Sequence, residues 1–169
     1  MPFLIDEHSG LPILLAHVAL ANPMVDVIGE GAEALVIVAG ADAYVSPSWY
    51  PSKQEHGRVV PTWNYTVVHL RGEISVFRDD ERIGLMVSAL TNHHERDRAE
   101  PWAVTDAPAE FISAQRRAIV GLEMSLTSVE GKAKLSQNRS AADRTAVVTG
   151  LLGGHLRDQA VGTEMGDSQ

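Results

Sequence analysis

The side chains best suited to ligand binding are concentrated between positions 44 and 65, where two tryptophan-containing segments lie close together. They combine hydroxyl and amide groups, aromatic faces and one positive charge. The set consists of Ser48, Trp49, Lys53, Thr62, Trp63 and Asn64. Small-molecule sites pair apolar and aromatic walls with a few placed polar groups. This composition therefore favours a flat, phosphorylated ligand.

Positive charge is concentrated near the end of the chain. Four basic residues lie within thirteen positions that contain a single acid, and they are Lys132, Lys134, Arg139 and Arg144. Gln137 and Asn138 stand beside them, where a predicted strand passes into a helix start. Free N–H groups at a helix start attract anions. A local basic site of this kind suits a small anion better than a DNA duplex.

Two other interpretations of the first segment stay open from the residues alone. The predicted strand after Pro61 alternates polar and large apolar side chains, so Trp63 and Tyr65 would lie in the core of a half-buried strand. His56 and His69 flank this strand and have the pKa range that acid–base catalysis needs, but such residues are more often packed or surface groups. We therefore assign no catalytic residue.

The sequence predicts no metal site. His93, His94 and Glu95 are consecutive near the end of a predicted helix, where neighbouring side chains point about 100° apart. The HExxH spacing of a helical zinc site is missing. The chain also contains no cysteine, which excludes thiolate ligands, disulfides and a thiolate nucleophile.

Local patterns predict the elements that position these groups. A strand is predicted over Leu122 to Val129, followed by a hairpin turn at Glu130-Gly131. A second strand from Lys132 to Ser136 would then place both lysines on one face. Ser140 begins a capping pattern for a helix. The residues after His155 show no apolar period and are predicted to form a mobile tail.

Composition bounds the class of protein. The 169 residues fit one domain, and 14 Lys and Arg against 22 Asp and Glu give a net charge of −8. This balance opposes non-specific attraction to nucleic acid, so direct DNA binding is doubtful. We also expect a soluble, cytoplasmic protein, since the chain shows no targeting or membrane-spanning segment and no cysteine.

Four strings closely resemble the PaiB family of FMN-binding negative transcriptional regulators. They are YVSPSWYPSK (Tyr44 to Lys53), VVPTWNY (Val59 to Tyr65), AEPWAVTDAPAEFI (Ala99 to Ile112) and GKAKLSQNRSAADR (Gly131 to Arg144). The resemblance implies an α+β, mainly β fold, an FMN-binding split β-barrel with peripheral helices over residues 1–152, followed by a flexible tail over 153–169. It also implies that a helix and a first strand which usually precede a segment like PFLID are absent, so that either the start has been lost or a partner chain covers the sheet.

The resemblance implies FMN as the cofactor and a homodimer as the assembly. The basic segment with Lys134, Gln137, Asn138 and Arg139 then becomes one wall of the FMN site, and the tryptophan-containing segments become the facing wall. Three functions stay open. The first is a flavin-binding regulator of the PaiB type, the second an FMN-dependent oxidoreductase resembling pyridoxamine-phosphate oxidases or flavin reductases, and the third a binding module that has lost its cofactor.

Overall fold

The computed structural model describes residues 3–6 and 12–167, which form one five-stranded sheet and six α-helices. The elements in chain order are β1 (Phe3–Asp6), β2 (Ile13–Ala19), α1 (Met24–Ile28), β3 (Ala32–Val45), α2 (Ser52–His56), β4 (Thr62–Phe77), α3 (Asp80–Glu95), α4 (Ala109–Arg117), β5 (Ile119–Lys134), α5 (Ala141–Leu152) and α6 (Leu156–Asp167). The strands lie in the order β1-β2-β5-β4-β3. Within this described part of the chain, no helix is long and apolar enough to cross a membrane.

The described residues divide into two compact units. Unit 1 contains the residues up to Leu35 and those from Arg71 to Ser128, and unit 2 contains Val36 to Leu70 and the residues from Val129 onward. The three long strands β3, β4 and β5 contribute residues to both units. Every residue predicted to bind the cofactor belongs to unit 2.

Unit 1 contains the antiparallel pairs β1 with β2 and β2 with β5. Leu14 of β2 stands opposite Met124 of β5, and both are buried. The helix predicted to end near His93 and His94 is confirmed as α3. Asp79 caps its start by accepting a hydrogen bond from the N–H of Arg82.

Unit 2 has its own apolar core, which the two C-terminal helices help to build. The buried members are Ala43, Val45, Tyr50, Leu135, Val147, Leu151, Val161 and Met165. The predicted capping of α5 is confirmed, since the Ser140 hydroxyl accepts a hydrogen bond from the N–H of Asp143 at 3.2 Å. The core therefore joins strand β3, the loop after it and helices α5 and α6.

The predicted hairpin turn at Glu130-Gly131 is wrong, because β5 runs without interruption from Ile119 to Lys134. A two-residue hairpin turn needs a positive φ, and the described glycines that adopt one are Gly29 and Gly57. The non-glycine residue with positive φ is Ser136, at 59°. The chain therefore leaves the strand direction after Lys134, five residues later than predicted.

The structure also differs from the predicted C-terminal tail. Residues Leu156–Asp167 form α6, in which Val161 and Met165 are fully buried. Gly162 lets this helix approach α5 closely, because a Cβ at that position would lie 3.1 to 3.2 Å from side-chain atoms of Leu151 and Leu152. Two large apolar residues four positions apart give too weak a pattern to predict the helix, but they bury its inner face.

Candidate functional site

Strands β4 and β5 bring two predicted site residues of unit 2 into direct contact. The Lys134 ammonium donates a hydrogen bond to the Thr62 hydroxyl at 2.8 Å. Two residues earlier in β5, the Lys132 ammonium lies 5.5 Å from the centre of the Tyr65 ring. A hydrogen bond and an electrostatic attraction from the Tyr65 side chain raise the pKa of Lys132 above its ordinary value. Two of the three lysines in the chain therefore form a positively charged pair beside β4.

Trp63 presents its ring at the surface of unit 2, with 49% of the residue exposed. The indole N–H donates to an Asp42 carboxylate oxygen at 3.0 Å, and Tyr44 packs edge-on with ring centres 6.3 Å apart. Arg157 donates to the other Asp42 oxygen at 2.9 Å. The interpretation that placed Trp63 in the core is therefore wrong. Sequence reasoning left out Asp42, since no local pattern shows that β3 holds it beside Trp63.

A shallow groove of about 390 Å³ runs along the same strands. Its lining is mostly small or apolar and includes the Lys132 side chain; the residues are Val38, Ala39, Gly40, Thr66, Val67, Val68, Gly131, Lys132 and Ala133. Gly40 is required here, because a Cβ would lie 2.1 Å from the Thr66 hydroxyl oxygen. Ligand pockets measure roughly 300 to 1,000 Å³. The groove therefore offers a flat apolar surface with a cation at its side.

Asn64 does not face this groove. It is fully buried, and its amide nitrogen donates to the Ser136 hydroxyl at 3.0 Å and to the Met165 sulfur at 3.2 Å. The Ser136 hydroxyl in turn donates to the Asn64 amide oxygen at 3.2 Å. The Asn64 amide therefore makes its hydrogen bonds inside unit 2, where it joins β4 to the turn that follows β5.

The turn after β5 places the remaining residues of the basic wall. The Gln137 side chain closes the turn, since its oxygen accepts from the N–H of Leu135 and its nitrogen donates to the carbonyl of Ala133, both at 2.8 Å. Asn138 is exposed. The Arg139 guanidinium lies 4.7 Å from the centre of the buried Tyr50 ring, so this arginine also contributes to packing.

The SPSWYPSK segment, residues 46–53, packs against α5 within unit 2. Trp49 is partly buried, and a Cβ at Gly150 would lie 2.5 to 2.8 Å from its ring atoms. Ser48 and Lys53 are exposed at the start of this segment and in α2. The Trp49 ring is therefore used largely for packing, whereas Trp63 keeps half of its surface free.

The N-terminus of α5 already holds a carboxylate. Asp143 is buried and accepts hydrogen bonds from the backbone N–H and the hydroxyl of Ser52, at 3.1 and 2.8 Å. Burial alone would raise the pKa of Asp143, but the bonds from Ser52 and Ser140 and the charge of Arg139 outweigh it and lower the pKa. This negative charge competes with any anion at the helix start. The lysine pair on β5 is the better cationic site.

A larger groove of about 640 Å³ lies in unit 1, far less suited to a phosphate. Its lining includes the carboxylates of Glu33 and Glu73 as well as Arg71. Two like charges beside one cation oppose the binding of an anion. The groove of unit 2 has Lys132 and no acidic residue in its lining, which makes it the candidate site for an anionic ligand. Among the described residues, no three His, Asp or Glu side chains come together as a metal site.

Comparisons with known proteins give the family-level context for this geometry. Residues 1–128 match the model of a domain family described as "Putative FMN-binding domain". An uncharacterized protein of Aspergillus fumigatus is 30% identical over 185 residues, covering 90% of this chain and 68% of that protein. The protease synthase and sporulation protein PAI 2 of Bacillus subtilis is 29% identical over 146 residues, covering 86% and 66%. The chain thus spans about two thirds of the length of these relatives.

A solved structure supports the fold. The FAD and heme binding protein of Mycobacterium smegmatis superposes with a TM-score of 0.51 at 22% identity, covering 86% of this chain and 64% of that one. Likeness at this identity concerns the fold alone. The predicted α+β split-barrel class is confirmed.

Proposed function

We propose, from the premise that the chain belongs to the FMN-binding domain family, that FMN binds along the groove of unit 2 with its phosphate at the lysine pair. The PaiB resemblance and the FMN cofactor read from the sequence agree with this membership. The observations that support the location are the contacts of Lys134 with Thr62 and of Lys132 with Tyr65, together with the groove that Lys132 lines.

The residues present fit the chemical parts of FMN. Lys134 and the Thr62 hydroxyl, 2.8 Å apart, are the groups to hold a phosphate, because charged N–H donors bind phosphate oxygens strongly. The small and apolar side chains of the groove suit a flat ring system. When bound, FMN supplies a ring that accepts and donates electrons. The protein's own residues bind and orient it.

The proposal predicts saturable quenching of FMN fluorescence when the protein is titrated into FMN, with weaker quenching of riboflavin, which lacks the phosphate. The physical reason is that the lysine pair acts on the phosphate alone. Unchanged FMN fluorescence at saturating protein would contradict the proposal. Equal affinity for both flavins would retain flavin binding but remove the lysines from it.

We also propose that the FMN-loaded protein is a cytoplasmic regulator rather than an oxidoreductase. This proposal is supported by the PaiB resemblance of the sequence and by the similarity to the PAI 2 protein. The net charge of −8 makes direct binding to duplex DNA doubtful, so regulation would act through another partner. Sustained oxidation of a reduced nicotinamide by the loaded protein would favour the oxidoreductase instead.

We propose a homodimer as the working assembly. Large apolar side chains of unit 2 lie exposed along its strands, among them Ile37 at 59%, Val129 at 58% and Tyr44 at 47%. Large apolar side chains on the surface are removed from water when a second chain covers them. Light scattering at micromolar protein is expected to give the mass of two chains, about 37 kDa from twice the 18.3 kDa chain. The mass of a single chain at that concentration would rule the dimer out.

A further inference from the structure

The starting observation is a buried polar pair inside unit 2. Asn64 is 0% exposed and Ser136 is 5% exposed, and their side chains exchange two hydrogen bonds of 3.0 and 3.2 Å. The two residues are 72 positions apart in the chain. Buried amides and hydroxyls need partners, and each of these residues is the other's partner. The pair therefore fixes strand β4 against the turn after β5.

Ser136 adopts a backbone conformation that L residues rarely take. Its φ is 59°, in the left-handed region that favours glycine. Such a residue persists when its surroundings hold it in place. The hydrogen bonds to Asn64 restrain Ser136 from the core side, and the Gln137 side chain closes the same turn at the surface.

This turn sets the positions of the two cations on either side of it. Lys134 precedes Ser136 by two residues and ends β5, while Arg139 follows by three residues and donates its backbone N–H to the Ser136 carbonyl at 3.0 Å. A change at Ser136 therefore moves the Lys134 and Arg139 backbones relative to each other. In the present geometry the Lys134 ammonium reaches the Thr62 hydroxyl at 2.8 Å.

We propose that Asn64 is a positioning residue, which acts through Ser136 to hold Lys134 in place for the phosphate of the cofactor. This inference rests on the proposed function, because it needs FMN to bind at the lysine pair. It changes the role of Asn64 from a cofactor contact, as the sequence suggested, to a buried support. It also adds Ser136, which was absent from the predicted set.

The test compares FMN and riboflavin affinities, measured by fluorescence quenching, for a series of variants. Asn64→Leu keeps the side-chain size and removes the bonds to Ser136. We expect FMN affinity to fall roughly tenfold, the equivalent of about one charged hydrogen bond, while riboflavin affinity changes less than about twofold. Ser136→Ala, which leaves Asn64 in place, is expected to act in the same direction.

Rescue separates positioning from contact. In the double variant Asn64→Leu with Ser136→Gly, glycine adopts the left-handed conformation without help, and neither polar partner is left unpaired. We expect this double variant to recover most of the FMN affinity lost in Asn64→Leu. A residue that touched the cofactor directly would not be rescued by a change at Ser136.

A packing control and the contradicting results complete the design. Val147→Ala removes buried apolar volume from the same core and is expected to lower the thermal unfolding temperature without changing the ratio of FMN to riboflavin affinity. An unchanged ratio in both Asn64→Leu and Ser136→Ala would overturn the positioning role, as would failed rescue. Wild-type protein that ignores FMN would instead overturn the proposed function itself.

Discussion

Replacing both Lys132 and Lys134 with alanine is expected to lower FMN affinity about 100-fold. A hydrogen bond to a charged group changes affinity by about 10- to 150-fold, and both lysines are exposed to water, so the low end applies to each. When the two free-energy losses are independent they add, so the two affinity losses multiply to about two orders of magnitude. Riboflavin affinity should stay the same, because riboflavin carries no phosphate. Fluorescence quenching with both flavins measures the two effects.

The matched control is the double variant Arg96→Ala with Arg98→Ala. These two arginines are exposed in unit 1, with 62% and 66% of their side chains accessible, and their loss changes the net charge by the same amount as loss of the lysines. A general charge effect would weaken FMN binding equally in both double variants. Full FMN affinity in the lysine variant would move the phosphate to another cation, and Arg139 is then the next candidate.

Elements defined by neighbouring residues could be predicted from the sequence. Helix α5 was located because Ser140 begins a capping pattern that spans four residues, and the cap that Asp79 supplies to α3 is equally local. Such signals depend on groups that are adjacent in the chain. They need no knowledge of the rest of the fold.

The candidate site depends on contacts between distant parts of the chain, and these were only partly predictable. The family resemblance implied that Thr62 and Lys134 lie on facing walls of one site. The structure joins them by a 2.8 Å hydrogen bond, although they are 72 positions apart in the chain. Which side of β4 is buried was predicted the wrong way round. Alternation shows that Trp63 and Asn64 point apart, but the burial of a polar Asn64 requires its partner Ser136, which no local pattern reveals.

Helix α6 shows the same limit for the core. Its twelve residues contain three that are apolar and large, and two of these, Val161 and Met165, are fully buried. A helix of this length is marginal alone and is stabilised by packing. The α5 surface that it packs against lies outside any local window, so the segment looked like a tail.

The second large effect is expected at Met165, the residue that anchors this helix. Met165→Ala should lower the free energy of unfolding by about 2–5 kcal/mol, the usual cost of removing a fully buried methionine side chain. The substitution also takes away the sulfur that accepts a hydrogen bond from the Asn64 amide at 3.2 Å. Because domains are stable by only about 5–15 kcal/mol, a loss of this size is readily measured by urea unfolding.

Met24→Ala is the matched control, since Met24 lies in α1 and is 38% exposed. A substitution at a partly exposed site should cost less than about 1 kcal/mol. If α6 were a mobile tail, Met165→Ala would unfold at the same urea concentration as the wild type. A large loss at Met165 with a small loss at Met24 instead means that α6 is part of the core that supports Asn64, Ser136 and the lysine pair, so FMN affinity should fall in Met165→Ala as well.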